Sequence, residues 1–339
     1  MDKLKIGIVG CGNISNAHGD SLKDLCGEYG IEVTAFADIL PDRLNKMAER
    51  FPDARQYDSG MKLISEEKLD IVHICLPTYL HAEHAVAAME HDMNVFMEKP
   101  ACLKRSEAKR LLEVQKISGK KVMIGQVVRF FDEYIYLKEL YDTQEYGKLK
   151  YLVLQRIMGG SRESTSWFKE PDKSGSVILD VHIHDVDFMR SLLGEPLGVN
   201  IVSDMGSSEI QPMHIAAIYR YNDLFAFAEG GWANAKPYGF RMSYRANFEL
   251  ATIVYDSWEN PSVTVYHNNG EIIKNKIPRT GKNPYYEEIR YFTECVLWGK
   301  PVEKASLEDA LKSYELAMTE LEMAYCQANV RFPIVDFVD

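Results

Sequence analysis

The 339-residue chain has no apolar run long enough to cross a bilayer, because a membrane-spanning helix needs about 20 consecutive apolar residues. It also has no block of like charges, and its formal net charge of -11 argues against surfaces for nucleic acid or anionic membranes. Its six cysteines are scattered without a CxxC pair, so neither a disulfide framework nor a zinc site is indicated. The N-terminus, MDKLKIGIVG, enters a strand without a signal-peptide pattern. We therefore expect a cytoplasmic protein that binds neither nucleic acid nor membrane.

A glycine turn follows the first predicted strand. The apolar run from Lys3 to Val9 leads into Gly10-Cys11-Gly12-Asn13-Ile14-Ser15 and then into a helical pattern. In such a strand-turn-helix unit the first glycine permits the tight turn, and the second lets backbone N–H groups approach a pyrophosphate. Ser15 stands in place of the usual third glycine and is small enough for close helix packing. The residues predicted to bind a dinucleotide here are Gly10, Gly12, Asn13 and Ile14.

An acidic residue ends the second predicted strand. The run from Glu32 to Asp38 places the Asp38 carboxylate at the distance expected for a group that accepts both ribose hydroxyls of NAD. Ile39, Leu40 and Pro41 follow, so no adjacent basic residue would receive the 2'-phosphate of NADP. NAD is therefore the predicted cofactor, in preference to NADP.

Strand and helix patterns continue to alternate as far as Gly125. This alternation predicts a Rossmann-type domain over residues 1–125, with a doubly wound parallel sheet and helices on both faces. The ligand of such a sheet lies at the carboxyl ends of the strands. Two motifs stand at such ends, Leu76-Pro77-Thr78 with His81, and Glu98-Lys99-Pro100. We expect Pro100 to fix the strand end so that Lys99 points inward.

From residue 126 to residue 339 the pattern changes to many strands joined by short turns. It predicts an α+β domain with a large, mainly antiparallel open sheet. Helical patterns at 286–297 and 307–329 can cover only part of such a sheet. We expect the other face to meet a second copy of the chain, in a homodimer or a homotetramer.

A helix is predicted from Ser176 to Leu193. Asp180, His184 and Asp187 share a narrow arc of it, because 3.6 residues per turn places i, i+4 and i+7 on one side. Apolar residues flank this arc, and an acid and a base held between apolar surfaces are typical of an active site. The alternative is a solvated face, which would be broader and rich in Lys and Glu. Asp187 is expected to belong to an internal hydrogen-bond network.

A metal site is a weaker interpretation of the same helix. His182 and His184 point about 200 degrees apart on a helix and cannot share one ion, although Asp180, His184 and Asp187 could. A cationic Lys99 beside them would repel a metal. No metal site is predicted.

Together these motifs resemble those of the Gfo/Idh/MocA family, the glucose-fructose oxidoreductase and inositol dehydrogenase group, over nearly the whole chain. The motifs, in the order of the family, are Gly10-x-Gly12 with Asp38, Leu76-Pro77-Thr78 with His81, Glu98-Lys99-Pro100, Gly125-Gln126-Val127 with Arg129, and Gly175-Ser176-x-x-x-Asp180-x-x-x-His184-x-x-Asp187. Ser176 departs from the usual second glycine of the last motif. The resemblance assigns further cofactor contacts to Leu76, Pro77, Thr78, His81, Glu98, Lys99 and Gln126. It assigns the catalytic positions to Lys99, Asp180 and His184.

The resemblance implies reversible hydride transfer between nicotinamide C4 and a secondary hydroxyl carbon of a sugar, inositol or related polyol. His184 would accept the hydroxyl proton, Lys99 would stabilise the developing alkoxide, and Asp180 would orient the imidazole or bind a neighbouring hydroxyl. The residues that could line a sugar pocket are Arg129, Arg156, Arg162, Trp167 and Lys173. Two other functions stay open, namely a non-catalytic dinucleotide-binding regulator and NAD-assisted glycoside cleavage.

Overall fold

The computed structural model describes residues 3–160, 166–206, 208–275, 277 and 282–333. These residues group into two compact units. One is formed by residues 3–127 together with 282–311, and the other by the described residues of 128–277 together with 312–333. No described helix is both long and apolar enough to cross a membrane. All six cysteines are free, and Cys326 is exposed whereas four of the others are buried.

The first unit is built on a parallel sheet. Its strands are β1 (Leu4–Val9), β2 (Ile31–Ala37), β3 (Arg55–Tyr57), β4 (Ile71–Ile74), β5 (Asn94–Glu98) and β6 (Val122–Gly125). They lie in the order β3-β2-β1-β4-β5-β6, and every neighbouring pair is parallel. The strand β4 is buried along its whole length, as expected for a strand covered on both faces. This order confirms the predicted Rossmann-type sheet.

Ten α-helices are described. They are α1 (Asn13–Glu28), α2 (Pro41–Arg50), α3 (Gly60–Glu66), α4 (His81–Glu90), α5 (Arg105–Ser118), α6 (Asp132–Thr143), α7 (Pro171–Ser174), α8 (Ile183–Leu193), α9 (Pro284–Leu297) and α10 (Leu307–Ala328). A π turn over Ile178–His182 leads directly into α8. The chain is helical over the predicted range 176–193, and the residues of the π turn are wound more widely than an α-helix.

The helix α9 belongs to the first unit rather than to the second. Tyr29 at the end of α1 donates its hydroxyl to Glu294 at 2.6 Å, and Tyr286 donates to Glu28. On the buried side of α9, Phe292 meets Phe96 of β5 edge to face. The structure thus differs at residues 282–311 from the continuous second domain predicted over 126–339, since this helix covers the parallel sheet and not the large one.

The second unit contains an eight-stranded sheet. Its strands are β7 (Leu149–Gly159), β8 (Gly198–Asp204), β9 (His214–Arg220), β10 (Phe225–Asn234), β11 (Phe240–Phe248), β12 (Ala251–Asp256), β13 (Val263–His267) and β14 (Ile272–Asn275). They lie in the order β14-β13-β12-β11-β7-β10-β9-β8. Only the β7–β10 pair is parallel, so the predicted mainly antiparallel sheet is confirmed.

Candidate active site

The glycine turn after β1 is shaped for close approach of a ligand. Gly10 has φ +91°, and a Cβ there would lie 2.6 Å from the carbonyl oxygen of Cys75. Gly12 is the N-cap of α1, which has no side-chain cap and no acidic residue in its first turn. The backbone N–H groups at this end, including those of Asn13 and Ile14, have no intrahelical acceptor and suit a phosphate. Ser15 is fully buried, as close packing of the helix requires.

Asp38 is held in one orientation at the end of β2. Its Oδ2 accepts the Cys11 N–H at 2.8 Å, its Oδ1 accepts the Leu40 N–H at 2.8 Å, and the residue is 7% exposed. Burial, followed by the charge of Asp38, raises the pKa of the Cys11 thiol to about 12, so this turn carries no thiolate. The carboxylate is thus fixed where a ribose would present its hydroxyls.

A basic residue lies beside Asp38 in space, although none follows it directly in the sequence. Arg43 in the first turn of α2 places its Nη1 3.7 Å from Oδ2 of Asp38. The same Nη1 would be 3.6 Å from a Cβ on Gly12. Arg43 stands five positions after Asp38, and the start of α2 brings it back to the strand end. The residues directly after Asp38, namely Ile39, Leu40 and Pro41, carry no basic group, as the sequence analysis noted.

The Leu76-Pro77-Thr78 segment follows β4 and is tied to the strand end of β5 by His81. The ring of His81 places Nδ1 2.8 Å from the Pro100 carbonyl oxygen and Nε2 2.8 Å from that of Leu76. Burial lowers the pKa of His81, although the two carbonyl groups act to raise it. A neutral imidazole ring has one N–H and donates it to only one of these carbonyls. The His81 side chain therefore holds the two loops together rather than facing open solvent.

Three further predicted cofactor residues stand at the ends of β5 and β6. Glu98 is 7% exposed, and the next residue, Lys99, is half-buried. Gln126 follows β6 and is 1% exposed. Its Oε1 accepts no hydrogen bond from the described part of the chain. A buried amide oxygen without a donor is costly, so it fits a site that a ligand completes.

In the second unit, Asp180 lies on the π turn and His184 in the first turn of α8. Asp180 is 6% exposed and His184 is half-buried. The preceding Gly175 and Ser176 both have left-handed backbones, with φ of 72° and 62°. A π turn in place of an α turn is frequent at functional sites. Asp180 thus lies where the helix is irregular and His184 directly after it, which hydrophobic periodicity could not show.

Asp187 is confirmed as part of an internal network. It is fully buried and accepts two hydrogen bonds from Arg129, at 2.7 and 2.6 Å, and one from the Ser313 hydroxyl at 2.7 Å. Arg190 in turn donates to Ser313 at 2.8 Å. Two N–H donors of Arg129 are thus engaged by a buried carboxylate. With this charge paired, Asp187 has no place in a metal site.

Arg156, predicted to face the substrate, is a buried structural residue. It is 4% exposed, pairs with Asp185 at 2.9 Å and donates to Tyr134 at 3.3 Å. Burial would lower the pKa of the guanidinium, but the Asp185 carboxylate outweighs burial and raises it. We therefore assign Arg156 to the packing of this unit and not to the substrate.

The remaining sugar-pocket candidates are distributed along the loop that follows β7. Trp167 is half-buried and stacks on Phe168 with ring centroids 3.7 Å apart. Lys173 pairs with Glu170 across one turn. Arg162 lies outside the described residues. In the described part of the chain no three His, Cys, Asp or Glu residues are grouped to hold a metal ion.

His182 faces the interior of the second unit. It is fully buried, with Nε2 3.0 Å from the Tyr219 hydroxyl and 3.1 Å from Oε2 of Glu320 on α10. A Cβ on Gly230 of β10 would lie 2.8 Å from the Cβ of His182. This residue therefore anchors the π turn to the sheet and to α10, and the half-buried His184 is the histidine of the pair that retains access.

Comparison with known proteins agrees with these features. The oxidoreductase family model with an NAD-binding Rossmann fold matches residues 4–126, and the Gfo/Idh/MocA C-terminal domain model matches residues 134–254. NAD, the predicted cofactor, is thereby confirmed.

The individual proteins that match the chain share a quarter to a third of its residues in the aligned regions, or fewer. An inositol 2-dehydrogenase from Salmonella paratyphi B is 31% identical over 194 residues, which is 57% of this chain and 55% of that enzyme. The chain thus spans about half the length of this curated relative. A scyllo-inositol 2-dehydrogenase (NAD+) from Bacillus subtilis is 24% identical over 307 residues, 88% of this chain and 87% of the enzyme. A levoglucosan dehydrogenase solved with NADH and L-sorbose shares the fold, with a TM-score of 0.83 and 19% identity over 96% of this chain and 98% of that one. From the two model matches, the chain belongs to the Gfo/Idh/MocA family of oxidoreductases.

Proposed function

We propose that the protein is an NAD-dependent dehydrogenase that oxidises a secondary hydroxyl of a sugar, an inositol or a related polyol, and catalyses the reverse reduction. The observation that carries this proposal is the glycine turn whose Cys11 N–H is bound by Asp38 in the first unit, together with an acid, Asp180, and a base, His184, placed one turn apart on the π turn and α8. The names of the Salmonella and Bacillus relatives support a polyol substrate.

Each catalytic residue has a distinct role. NAD supplies the hydride acceptor at nicotinamide C4. We assign His184 to accept the hydroxyl proton, and Asp180 to stabilise and orient the charged imidazole. We assign Lys99 to hydrogen-bond the reacting oxygen as negative charge develops on it. Trp167 would pack against a sugar ring.

The test is a comparison of binding with turnover. Lys99→Ala should leave NAD affinity nearly intact, while kcat for polyol oxidation falls about 100-fold or more, because an oxyanion stabiliser acts mainly in the transition state. His184→Ala should lose a similar factor and also lose the rise of the oxidation rate with pH that follows deprotonation of the base. Lys116→Ala, an exposed change on α5, is the control.

Screening the protein with NAD against inositols and free sugars, by the absorbance of NADH, identifies the substrate. If the protein binds NAD but forms no NADH with any polyol, the result would support the non-catalytic regulator instead. Sugar release without net NADH would support NAD-assisted glycoside cleavage. Full activity of Lys99→Ala would remove Lys99 from the mechanism.

We also propose that the open face of the large sheet forms a homodimer or homotetramer interface. Val202, Ile218 and Phe225 lie on this face and are 72%, 49% and 48% exposed. Phe225 stacks on Tyr151 of the neighbouring strand, with centroids 5.5 Å apart. An exposed apolar sheet face of this kind is typical of a protein interface. The cytoplasmic location stays a prediction.

Sedimentation velocity tests the interface. Phe225→Asp should shift the native oligomer towards the monomer, because it places a charge in the middle of an apolar face. Ile117→Asp, at an exposed aliphatic residue of α5, should leave the distribution unchanged. A native protein that sediments as a monomer would contradict the proposal.

A further inference from the structure

A row of buried polar side chains runs beneath the carboxyl ends of β4 and β5. His73 of β4 places Nδ1 3.0 Å from Nδ1 of His18 on α1. The Nε2 of His18 lies 2.9 Å from Oε1 of Glu98 at the end of β5. Both imidazoles are fully buried, and the side chain of Glu98 is 9% exposed.

The direction of hydrogen bonding along this row follows from burial. Burial lowers the pKa of His73 well below its usual range, so this ring is neutral. A neutral His73 can donate its Nδ1–H to His18, which then donates its Nε2–H to the Glu98 carboxylate. Both contacts can therefore form with neutral imidazole rings. The N–H of His73 is directed at His18, and the N–H of His18 is directed at the Glu98 carboxylate. The row fixes the orientation of the Glu98 carboxylate.

A second carboxyl group, Glu288 of α9, is packed close to the first. It is fully buried, and neither of its carboxyl oxygens has a hydrogen-bond partner in the described part of the chain. Burial first, and the charge of Glu98 second, raise the pKa of Glu288 well above its usual range. Two carboxylates in one apolar site cannot both ionise cheaply. Glu288 is therefore the protonated member of the pair.

In the described part of the chain, the ion pair printed for Glu98 is with His18, and no Arg or Lys lies within ion-pair distance of its carboxylate. The charge of Glu98 also acts on the Cys75 thiol, whose pKa burial raises, and on His81, whose pKa burial lowers. Gly125 of β6 gives the carboxylate room, since a Cβ there would lie 3.2 Å from Oε1. A nearly buried carboxylate with no cation is costly unless a cationic ligand approaches it.

The position of this charge indicates the ligand. Successive strands are added on one side of β1 as far as β3 and on its other side from β4 onwards, so the strand order switches between β1 and β4. A dinucleotide crosses such a sheet at this switch point. Asp38 at the end of β2 marks the adenosine side. The nicotinamide half then lies on the β4–β5 side, where Glu98 stands. The oxidised nicotinamide ring is a cation, and the reduced ring is neutral.

We propose that the Glu98 carboxylate is the counter-charge of the oxidised nicotinamide, so that this residue sets the preference of the enzyme for NAD+ over NADH. The row from His73 through His18 holds the charge in place, and the protonated Glu288 keeps it single. The inference rests on the NAD-dependent activity proposed above. Glu98 would then set the relative affinity of the enzyme for NAD+ and NADH, in addition to the roles assigned to Lys99, Asp180 and His184.

The test measures dissociation constants of NAD+, NADH and ADP-ribose by calorimetry, for the native protein and its variants. Glu98→Gln keeps the shape and removes the charge. It should raise the ratio of the NAD+ constant to the NADH constant about tenfold, which is ~1.4 kcal/mol, and leave ADP-ribose unchanged. Glu98→Asp keeps the charge and should stay near the native ratio. Glu98→Ser removes both the charge and most of the side chain. It is the variant to measure if Glu98→Gln does not fold.

Two variants of α9 complete the experiment. Glu288→Gln should leave the ratio unchanged, because its native carboxyl already carries a proton. Glu294→Gln, at a carboxylate paired with Arg290, is the matched control. An unchanged ratio in the charge-removing Glu98 variants overturns the inference, as does an equal loss of all three ligands or an equal shift in Glu288→Gln. A native protein that binds neither NAD+ nor NADH would instead contradict the proposed function.

Discussion

Removal of the charge of Asp38 should relax the selection between NAD and NADP. The carboxylate is fixed by the N–H groups of Cys11 and Leu40, so it cannot turn away from a 2'-phosphate. Two like charges about 4 Å apart repel by about 4 kcal/mol at an effective dielectric of 20. Solvent around the site reduces this, and we expect a discrimination against NADP of about 2–3 kcal/mol, which is roughly 30- to 150-fold.

The position of Arg43 alters the effect on NADP binding that we expect from a substitution of Asp38. Its guanidinium is already 3.7 Å from Asp38, with 44% of its side chain exposed. An exposed pair of this kind contributes at most about 1 kcal/mol, so Arg43 can turn from the carboxylate to a phosphate at little cost. Asp38→Asn alone should therefore improve NADP binding about 10- to 100-fold, without an added basic residue at Ile39.

Calorimetry with NADP and NAD, together with turnover on both, measures the effect. Asp38→Asn should weaken NAD binding several-fold, because hydrogen bonds to a charged acceptor are stronger than those to a neutral one. Adding Arg43→Ala should remove about tenfold of the gain for NADP. Asp42→Asn, one residue before Arg43 and exposed, is the control. An NADP-to-NAD ratio that Asp38→Asn leaves within twofold of the native value would refute the electrostatic reasoning.

Three stability predictions concern the helix of the second unit, each measured by urea unfolding. Ser176→Gly should raise the free energy of unfolding by up to about 1 kcal/mol because it relieves a left-handed backbone, whereas Ser176→Ala should bring no gain. His182→Ala should lower it by about 3 kcal/mol because it leaves the fully buried Glu320 without its imidazole. A loss below about 1 kcal/mol would contradict this. Asp187→Asn should cost about 3 kcal/mol through the loss of the paired charge on Arg129, and native stability in this variant would show the pair to be dispensable.

Most strands were predictable because their apolar runs are regular. The run from Lys3 to Val9 agrees with β1, and the run from Glu32 to Asp38 with β2, each within one residue at either end. The strands β3 and β14 were missed because each is only three or four residues long and carries polar residues, as in the Arg55–Tyr57 segment RQY. Periodicity needs several alternations before it distinguishes a strand from a loop.

The proposed catalytic positions rest on motifs, whereas the sequence did not show which residues surround them. Arg43 was missed because only the residues directly after Asp38 were considered, and the helix start returns the chain to the same point. The proximity of Glu288 to Glu98 was missed because the two are 190 residues apart in the sequence. A single acidic residue within a helical pattern predicts only a solvent-exposed side chain. The assignment of Arg156 failed for the opposite reason, since its partner Asp185 is 29 residues away and cannot be recognised from spacing.

The return of α9 to the first unit also constrains how the chain can fold during synthesis. Ile289 and Phe292 are fully buried, and until the ribosome has passed them the nascent parallel sheet exposes the apolar surface that they cover. Residues 128–277 emerge in the meantime and must begin to fold beside an incomplete neighbour. A fragment of residues 1–125 would carry the glycine turn but not this helix, and we expect it to aggregate when expressed alone, whereas a fusion of residues 282–311 to its end should restore solubility.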